Sequence, residues 1–183
     1  MKNKIILVGG YCATGKSTFS RRLSRELNIP CFNKDIIKEM LGDGFGSESG
    51  EVFKKGSYVT TLLLIHYIAE QFLQVGKICI LESNFVVQEI DELKILLEKY
   101  NCECLLFVFK GDLDVMFDRY CERERHWVHK LTSDREGFKN VMSEWYGLEK
   151  AEIGQKITVD TTSFENVDYE NLYSAAKRFI ADN

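Results

Sequence analysis

Proline is almost absent: it occurs once in 183 residues, as Pro30. A proline-rich linker is therefore ruled out, and no low-complexity tract or internal repeat divides the chain. Basic residues are not in excess. Lys and Arg number 24 against 28 Asp and Glu, a formal charge of −4. That balance supplies no long-range positive field to gather nucleic acid or acidic membranes, and leaves room only for a local basic cleft. The six cysteines (Cys12, Cys31, Cys79, Cys102, Cys104 and Cys121) form no C-x-x-C pair. Their scatter argues against a zinc ribbon or thioredoxin-type site and for buried reduced thiols. Long apolar runs are missing too. Ile5–Val8 is too short for the apolar stretch of a signal peptide. Residues 58–75 are interrupted by Thr60, Thr61, His66, Glu70 and Gln71, whereas a bilayer span needs about 20 mostly apolar residues. A buried helix there, no membrane partner and a cytoplasmic protein are the expectations. What is present is ordinary globular material, 45% apolar and 28% charged. It suffices for one domain over residues 1–183 with a large core and no staples.

Strand-like and helix-like patterns alternate. Ile5–Val8 is a short β-branched run ending in glycines, as a buried strand does. Phe19, Leu23 and Leu27 recur every four residues and share a helical face. Further along, the pattern predicts a short strand at 30–33 and a short helix at 35–41. A flexible loop marked by Gly42, Gly44, Gly46 and Gly50 follows, then a long helix from about 51 to 74. Next come a strand at 77–81, a helix at 86–100 and a strand at 102–109. Leu113, Met116, Phe117 and Tyr120 form a helix behind the cap Asp112. A polar, arginine-rich stretch spans 119–135, and a short strand covers 157–159. Thr162 and Glu165 have capping-box spacing ahead of a last helix carrying Leu172, Ala176, Phe179 and Ile180. Such alternation implies an α/β fold with a parallel sheet covered on both faces.

The sharpest signal is Gly10-Tyr11-Cys12-Ala13-Thr14-Gly15-Lys16-Ser17, which matches G-x-x-x-x-G-K-[ST] between a strand and a helix. Glycines let the backbone curl so that consecutive N–H groups point inward onto phosphate oxygens. The following helix adds its positive dipole end. Gly10, Cys12, Ala13, Thr14, Gly15, Lys16, Ser17 and Thr18 are thus the expected nucleotide cradle. Lys16 would reach the β- and γ-phosphates of ATP, and Ser17 would hold Mg²⁺. Gly9, Gly10 and Gly15 lack the G-x-G-x-x-G spacing of a dinucleotide site.

An acceptor site must come from other strand ends, because ligands sit beyond the carboxyl ends of parallel strands. Two carboxylates fall there. Asp35 follows the strand at 30–33 and reads either as a general base or as a helix N-cap. Glu82 ends the strand at 77–81 and reads either as an aid to Mg²⁺ or acceptor, or as a loop acid. Ser83 and Asn84 can orient an acceptor or cap the next helix. Arg119 and Arg123 are four apart, which predicts a shared helix face. With Arg125 they read either as a lid closing over the triphosphate or as a solvated face paired with Asp118, Glu122 and Glu124. His126 and His129 read as lid surface, since i,i+3 spacing alone is weak evidence for a metal. Trp127 beside them stacks on a ligand or packs.

Taken in order, Gly10–Ser17, Asp35-Ile36-Ile37-Lys38, Glu82-Ser83-Asn84-Phe85, Arg119-x-x-x-Arg123 and Val159-Asp160-Thr161 resemble the small P-loop kinases related to the polynucleotide kinase 5′-kinase domain, chloramphenicol phosphotransferase and zeta toxins. This is an AAA-type, ATP-binding, kinase-like group. The resemblance implies a five-stranded parallel core, an arginine-rich lid over about 119–137, and ATP-dependent phosphorylation of a hydroxyl. It makes Asp35 the general base and Lys16, Arg119 and Arg123 the groups that stabilise the transferred phosphoryl. Asp160 and Thr161 would lie near the adenine. Asp35, Lys38, Glu82 and Asn84 would face the acceptor. Lys38 stands where such kinases often carry arginine, and lysine lacks arginine's bidentate fork. With the acidic net charge, this favours a small-molecule hydroxyl over a polynucleotide end. A nucleoside or polynucleotide end kinase and an ATP-binding switch without transferase activity are the alternatives.

Overall fold

The five strands assemble into one parallel sheet, in the order β2-β3-β1-β4-β5. The computed structural model describes residues 2–46, 50–129, 134–145 and 147–182. Strands β1 (Asn3–Gly10), β2 (Cys31–Asn33), β3 (Ile80–Glu82), β4 (Cys102–Lys110) and β5 (Gln155–Asp160) alternate with helices. The helices are α1 (Lys16–Leu27), α2 (Lys34–Phe45), α3 (Gly50–Gln74), α4 (Val87–Lys99), α5 (Leu113–Cys121), α6 (Arg135–Trp145) and α7 (Tyr169–Ala181). Among the described residues, no helix is long and apolar enough to cross a membrane.

Successive side chains of β1 enter opposite cores, as the period of two requires. Ile5 and Leu7 pack with Ile65, Ala69 and Leu73 of α3 and Leu93 of α4. Ile6 and Val8 pack with Phe19 and Leu23 of α1 and Tyr173 and Phe179 of α7. Burial on both faces explains why the strands read as unbroken apolar runs. A third cluster joins α5 and α6 through Met116, Phe117, Tyr120, Phe138 and Met142.

Register then sets the site. Val8 lies beside Glu82 of β3 and Phe107 of β4, and Asn33 of β2 lies beside Glu82. Asn33, Glu82 and the turn after β1 therefore emerge at one carboxyl edge.

Local expectations fail at three places. Helix α2 continues through Gly42 and Gly44 to Phe45, where a flexible loop was expected. Gly42 serves close packing: a Cβ there would come within 2.4 Å of Val128 Cγ1. Residues 47–49 of that loop lie outside the described residues. Helix α7 is capped by Asp168, which accepts from the Asn171 amide at 3.0 Å. The Thr162–Glu165 pair leads only into a 3-10 turn at Phe164–Asn166. Finally, α5 ends at Cys121, so Arg119 and Arg123 do not share a helix face. Arg125 donates to the Tyr120 carbonyl, a last-turn acceptor that a longer helix would have used. Of the expected lid, residues 130–133 lie outside the described residues.

Candidate active site

The turn after β1 is shaped by contacts that only glycine permits. Gly10 has φ 121°, and a Cβ on it would stand 1.9 Å from the Phe109 carbonyl oxygen. That oxygen accepts from the Tyr11 amide at 2.9 Å, carrying the β1–β4 ladder one step past the strand. Ala13 (φ 60°) and Gly15 (φ 83°) then turn left-handed, a sequence of conformations that points amides into one concavity. Thr14 is buried and its hydroxyl donates to the Tyr11 carbonyl at 2.7 Å. Lys16, 6% exposed, lies back across the loop and donates to the same carbonyl at 2.5 Å. The amides of Thr18 and Phe19 return to the Gly15 carbonyl. No side chain caps α1 at Gly15, which leaves the amides of Lys16 and Ser17 at the helix start to an anion.

Beside this turn sits a small oxygen-rich group. Ser17 Oγ donates to Glu82 Oε1 at 3.3 Å. The Asn33 amide donates to Ser17 Oγ at 3.3 Å and to Glu82 Oε2. Glu82 is 3% exposed. Burial pushes its pKa up to about 7; Lys16 pulls against that rise, Asp35 adds to it, and hydrogen bonds from Ser17 and Ser20 oppose it. A hydroxyl and a carboxylate beside a phosphate cradle are the hard oxygen donors that Mg²⁺ takes, with phosphates and water completing its shell. The donor set therefore fits that ion.

Asp35 sits in the first turn of α2, exposed. It is not the cap: Asn33 takes that role, its Oδ1 accepting from the Ile36 amide at 2.9 Å. Among the described residues, the Asp35 carboxylate makes no hydrogen bond or ion pair. Lys38, one turn on, is half-buried. Burial lowers its pKa, Asp35 works against that, and Lys34 adds to it. Asn84 does not cap α4, whose N-cap is Val86; its Nδ2 lies 3.5 Å from Cys12 Sγ, tying the loop after β3 to the phosphate turn. Next to it, Phe85 adopts φ 51° with a buried ring. A left-handed bulky residue is a strained feature of the kind found at functional sites.

Arg119 reaches the loop after β5. Its two guanidinium nitrogens donate to the Thr161 carbonyl at 2.6 Å and the Thr162 carbonyl at 2.9 Å. The guanidinium carbon lies 4.0 Å from the centroid of the Phe164 ring. That loop is knitted further. Asp160 Oδ1 accepts from the Thr162 amide at 2.8 Å, and Thr161 Oγ1 donates to the Lys110 carbonyl at 2.9 Å. Phe164 also approaches the phosphate turn, its Cε1 3.1 Å from where a Gly15 Cβ would be. Arg123 is exposed on the bend beyond α5, apart from Arg119's contacts. His126 and His129 pair with carboxylates of α2, Asp43 at 2.8 Å and Glu39 at 2.9 Å. Trp127 packs on Phe53 of α3.

The structure thus gathers Lys16, Ser17 and Glu82 into one group, sets Asp35 beside it, and places Arg119, Asp160 and Thr161 in another. Sequence reasoning missed Asn33 and Phe164. The rule that found Asp35, a polar group at a strand's carboxyl end, also finds Asn33. Phe164 carried no signal, because its stretch read as a helix cap.

The family profile described as an AAA domain matches residues 5–144. A kinase-like protein from Chloroflexus aurantiacus J-10-fl superposes with a TM-score of 0.82 at 26% identity, covering 97% of this chain and 98% of its own. A gluconokinase from Sinorhizobium meliloti 1021 follows at TM-score 0.57 and 15% identity, with 94% and 97% covered. A shikimate kinase from Bacteroides thetaiotaomicron gives 0.56 and 14%, with 97% and 98% covered. No curated protein matches the sequence. Phosphate turn, five-stranded parallel sheet and matched span together place the chain in the AAA domain family, as a nucleotide-binding, small P-loop kinase-like protein.

Proposed function

We propose that this protein is a cytoplasmic, one-domain enzyme that transfers the γ-phosphoryl group of ATP to a hydroxyl of a small molecule. The carrying observation is the exposed Asp35 carboxylate, without a hydrogen-bond or ion-pair partner among the described residues, at the sheet edge that also holds Lys16, Ser17 and Glu82. A switch protein needs no such base. The neighbours named as gluconokinase and shikimate kinase favour a small acceptor over a macromolecule.

In this reading the amides of Gly10–Ser17 and the Lys16 ammonium bind the β- and γ-phosphate oxygens. Ser17, with Glu82 behind it, would hold Mg²⁺, which when bound would supply positive charge against the phosphates. Asp35 accepts the acceptor's hydroxyl proton as the new O–P bond forms and ADP leaves. Lys38 faces the acceptor from the same helix, with Asn84 opposite. Arg119 and Phe164 organise the base side with Asp160 and Thr161. Arg123 closes over the phosphates from the bend.

The test is incubation with labelled ATP, Mg²⁺ and a panel of hydroxyl metabolites, with products identified by mass. Asp35→Asn should keep ATP affinity in calorimetry while product formation falls about 10²–10⁴-fold. Equal single-turnover rates for the two proteins would remove Asp35 from the mechanism.

A further inference from the structure

A buried ion pair lies beside the phosphate cradle with no part in it. Glu89, in the first turn of α4, is 1% exposed, and the ammonium of Lys34, the first residue of α2, closes on it with 13% exposure. Ser83 Oγ donates to the second Glu89 oxygen at 3.4 Å. Tyr58 of α3 hydrogen-bonds the same carboxylate, and its ring centroid lies 4.6 Å from the Lys34 nitrogen.

An ammonium at a helix's first position opposes the helix dipole, and a buried charge is costly unless paired. Both burdens are met only while α2 and α4 keep their present separation. Each helix start adjoins one half of the site. Asp35 follows Lys34 directly, and Ser83 follows Glu82. Lys34 is also the cation nearest in sequence to Asp35, and a carboxylate beside a free ammonium is a weaker base.

We infer that the Lys34–Glu89 pair is a positioning device for the base: it fixes the Asp35 turn against the Glu82 loop and holds the Lys34 charge away from Asp35. The inference rests on reading Asp35 as the base. The groups facing the pair are Tyr58 and His66 from α3, Glu92 from α4 and Lys38 from α2. Asp35 faces Lys38 on its own helix and Glu82 from the end of β3.

The experiment follows the side-chain carboxyl ¹³C signal of Asp35 with pH, assigned by its loss in Asp35→Asn. Phosphate release from ATP and Mg²⁺, with water as acceptor, is measured alongside. In Glu89→Gln the freed ammonium should move the Asp35 titration to lower pH, and turnover should drop about tenfold to a hundredfold. In the double variant Lys34→Met/Glu89→Gln the titration should return to its wild-type position while turnover stays low, because the charge is gone but the tie is still missing. Glu89→Asp keeps the charge and shortens the reach; it should lower turnover without moving the titration, and serves if Glu89→Gln does not fold. An unmoved Asp35 signal in Glu89→Gln, or wild-type turnover in Glu89→Asp, overturns the inference while Asp35 remains the base. Unchanged turnover in Asp35→Asn overturns the base itself, and the positioning role with it.

Discussion

At the scale of single residues, the phosphate turn depends on atoms that are absent. A methyl group on Gly10 would stand 1.9 Å from the Phe109 carbonyl oxygen, so the strand end must move to admit it. Gly10→Ala should lose measurable ATP binding in calorimetry and lower the melting temperature; unaltered affinity would mean that this bend does not shape the cradle. Glu82 makes a second test. Its pKa, raised to about 7 by burial, lies above the value of a carboxyl in the unfolded chain. The folded protein therefore holds a proton that the unfolded chain releases. Stability from this group is complete below about pH 4.5 and is lost as pH rises through about 7, on the order of 3 kcal/mol across the range. Glu82→Gln keeps an acceptor for Asn33 and cannot ionise. Without nucleotide or metal, its melting temperature relative to wild type should rise from pH 5 to pH 8. A constant difference would place the titration elsewhere.

Elements show which features the sequence made legible. The phosphate turn and the strand–helix alternation depend on near neighbours in the chain, so spacing and periodicity expose them. The Asp112 cap was readable for the same reason: its carboxylate accepts from the amides of Asp114 and Val115. The end of α5 was not, since it follows from Arg125 folding back on Tyr120. Gly42 misled as loop punctuation, because its purpose, contact with Val128 and Trp127, lies more than eighty positions along the chain. Asn33 bridges three elements, a role that no local window shows even though its place at the end of β2 is local information. The same lesson gives Arg119 its test. It ties α5 to the loop after β5 through a two-pronged donor, which a lysine cannot reproduce. Arg119→Lys should weaken binding of a non-hydrolysable ATP analogue about tenfold. Wild-type affinity would show that the loop needs no such tie.

Across the whole molecule, the thiols report how tightly the sheet is wrapped. Cys79 and Cys104 are fully enclosed, and Cys31 and Cys102 are half-buried. Burial pushes Cys31 up to about 11 and Cys79 and Cys102 up to about 12, and Cys104 moves in the same direction. Thiolate is the reactive form, so these four should ignore Ellman's reagent at pH 8 until the protein unfolds. Exposed Cys121 should react at once, and Cys121→Ser should remove that phase. Rapid modification of all six in the native state would contradict this packing.

One contact far from the nucleotide has a practical bearing. The buried Lys4 ammonium donates to the carbonyls of Phe179 at 2.7 Å and Ile180 at 3.4 Å in the last turn of α7, and to that of Asp182 just beyond it. Lys4 stands six positions ahead of Gly10 on the same strand. Trimming those last residues, or splicing a tag into them, strips a cation of its ligands at the root of the strand that leads into the phosphate turn. Damage to that segment would be felt as a faltering grip on ATP.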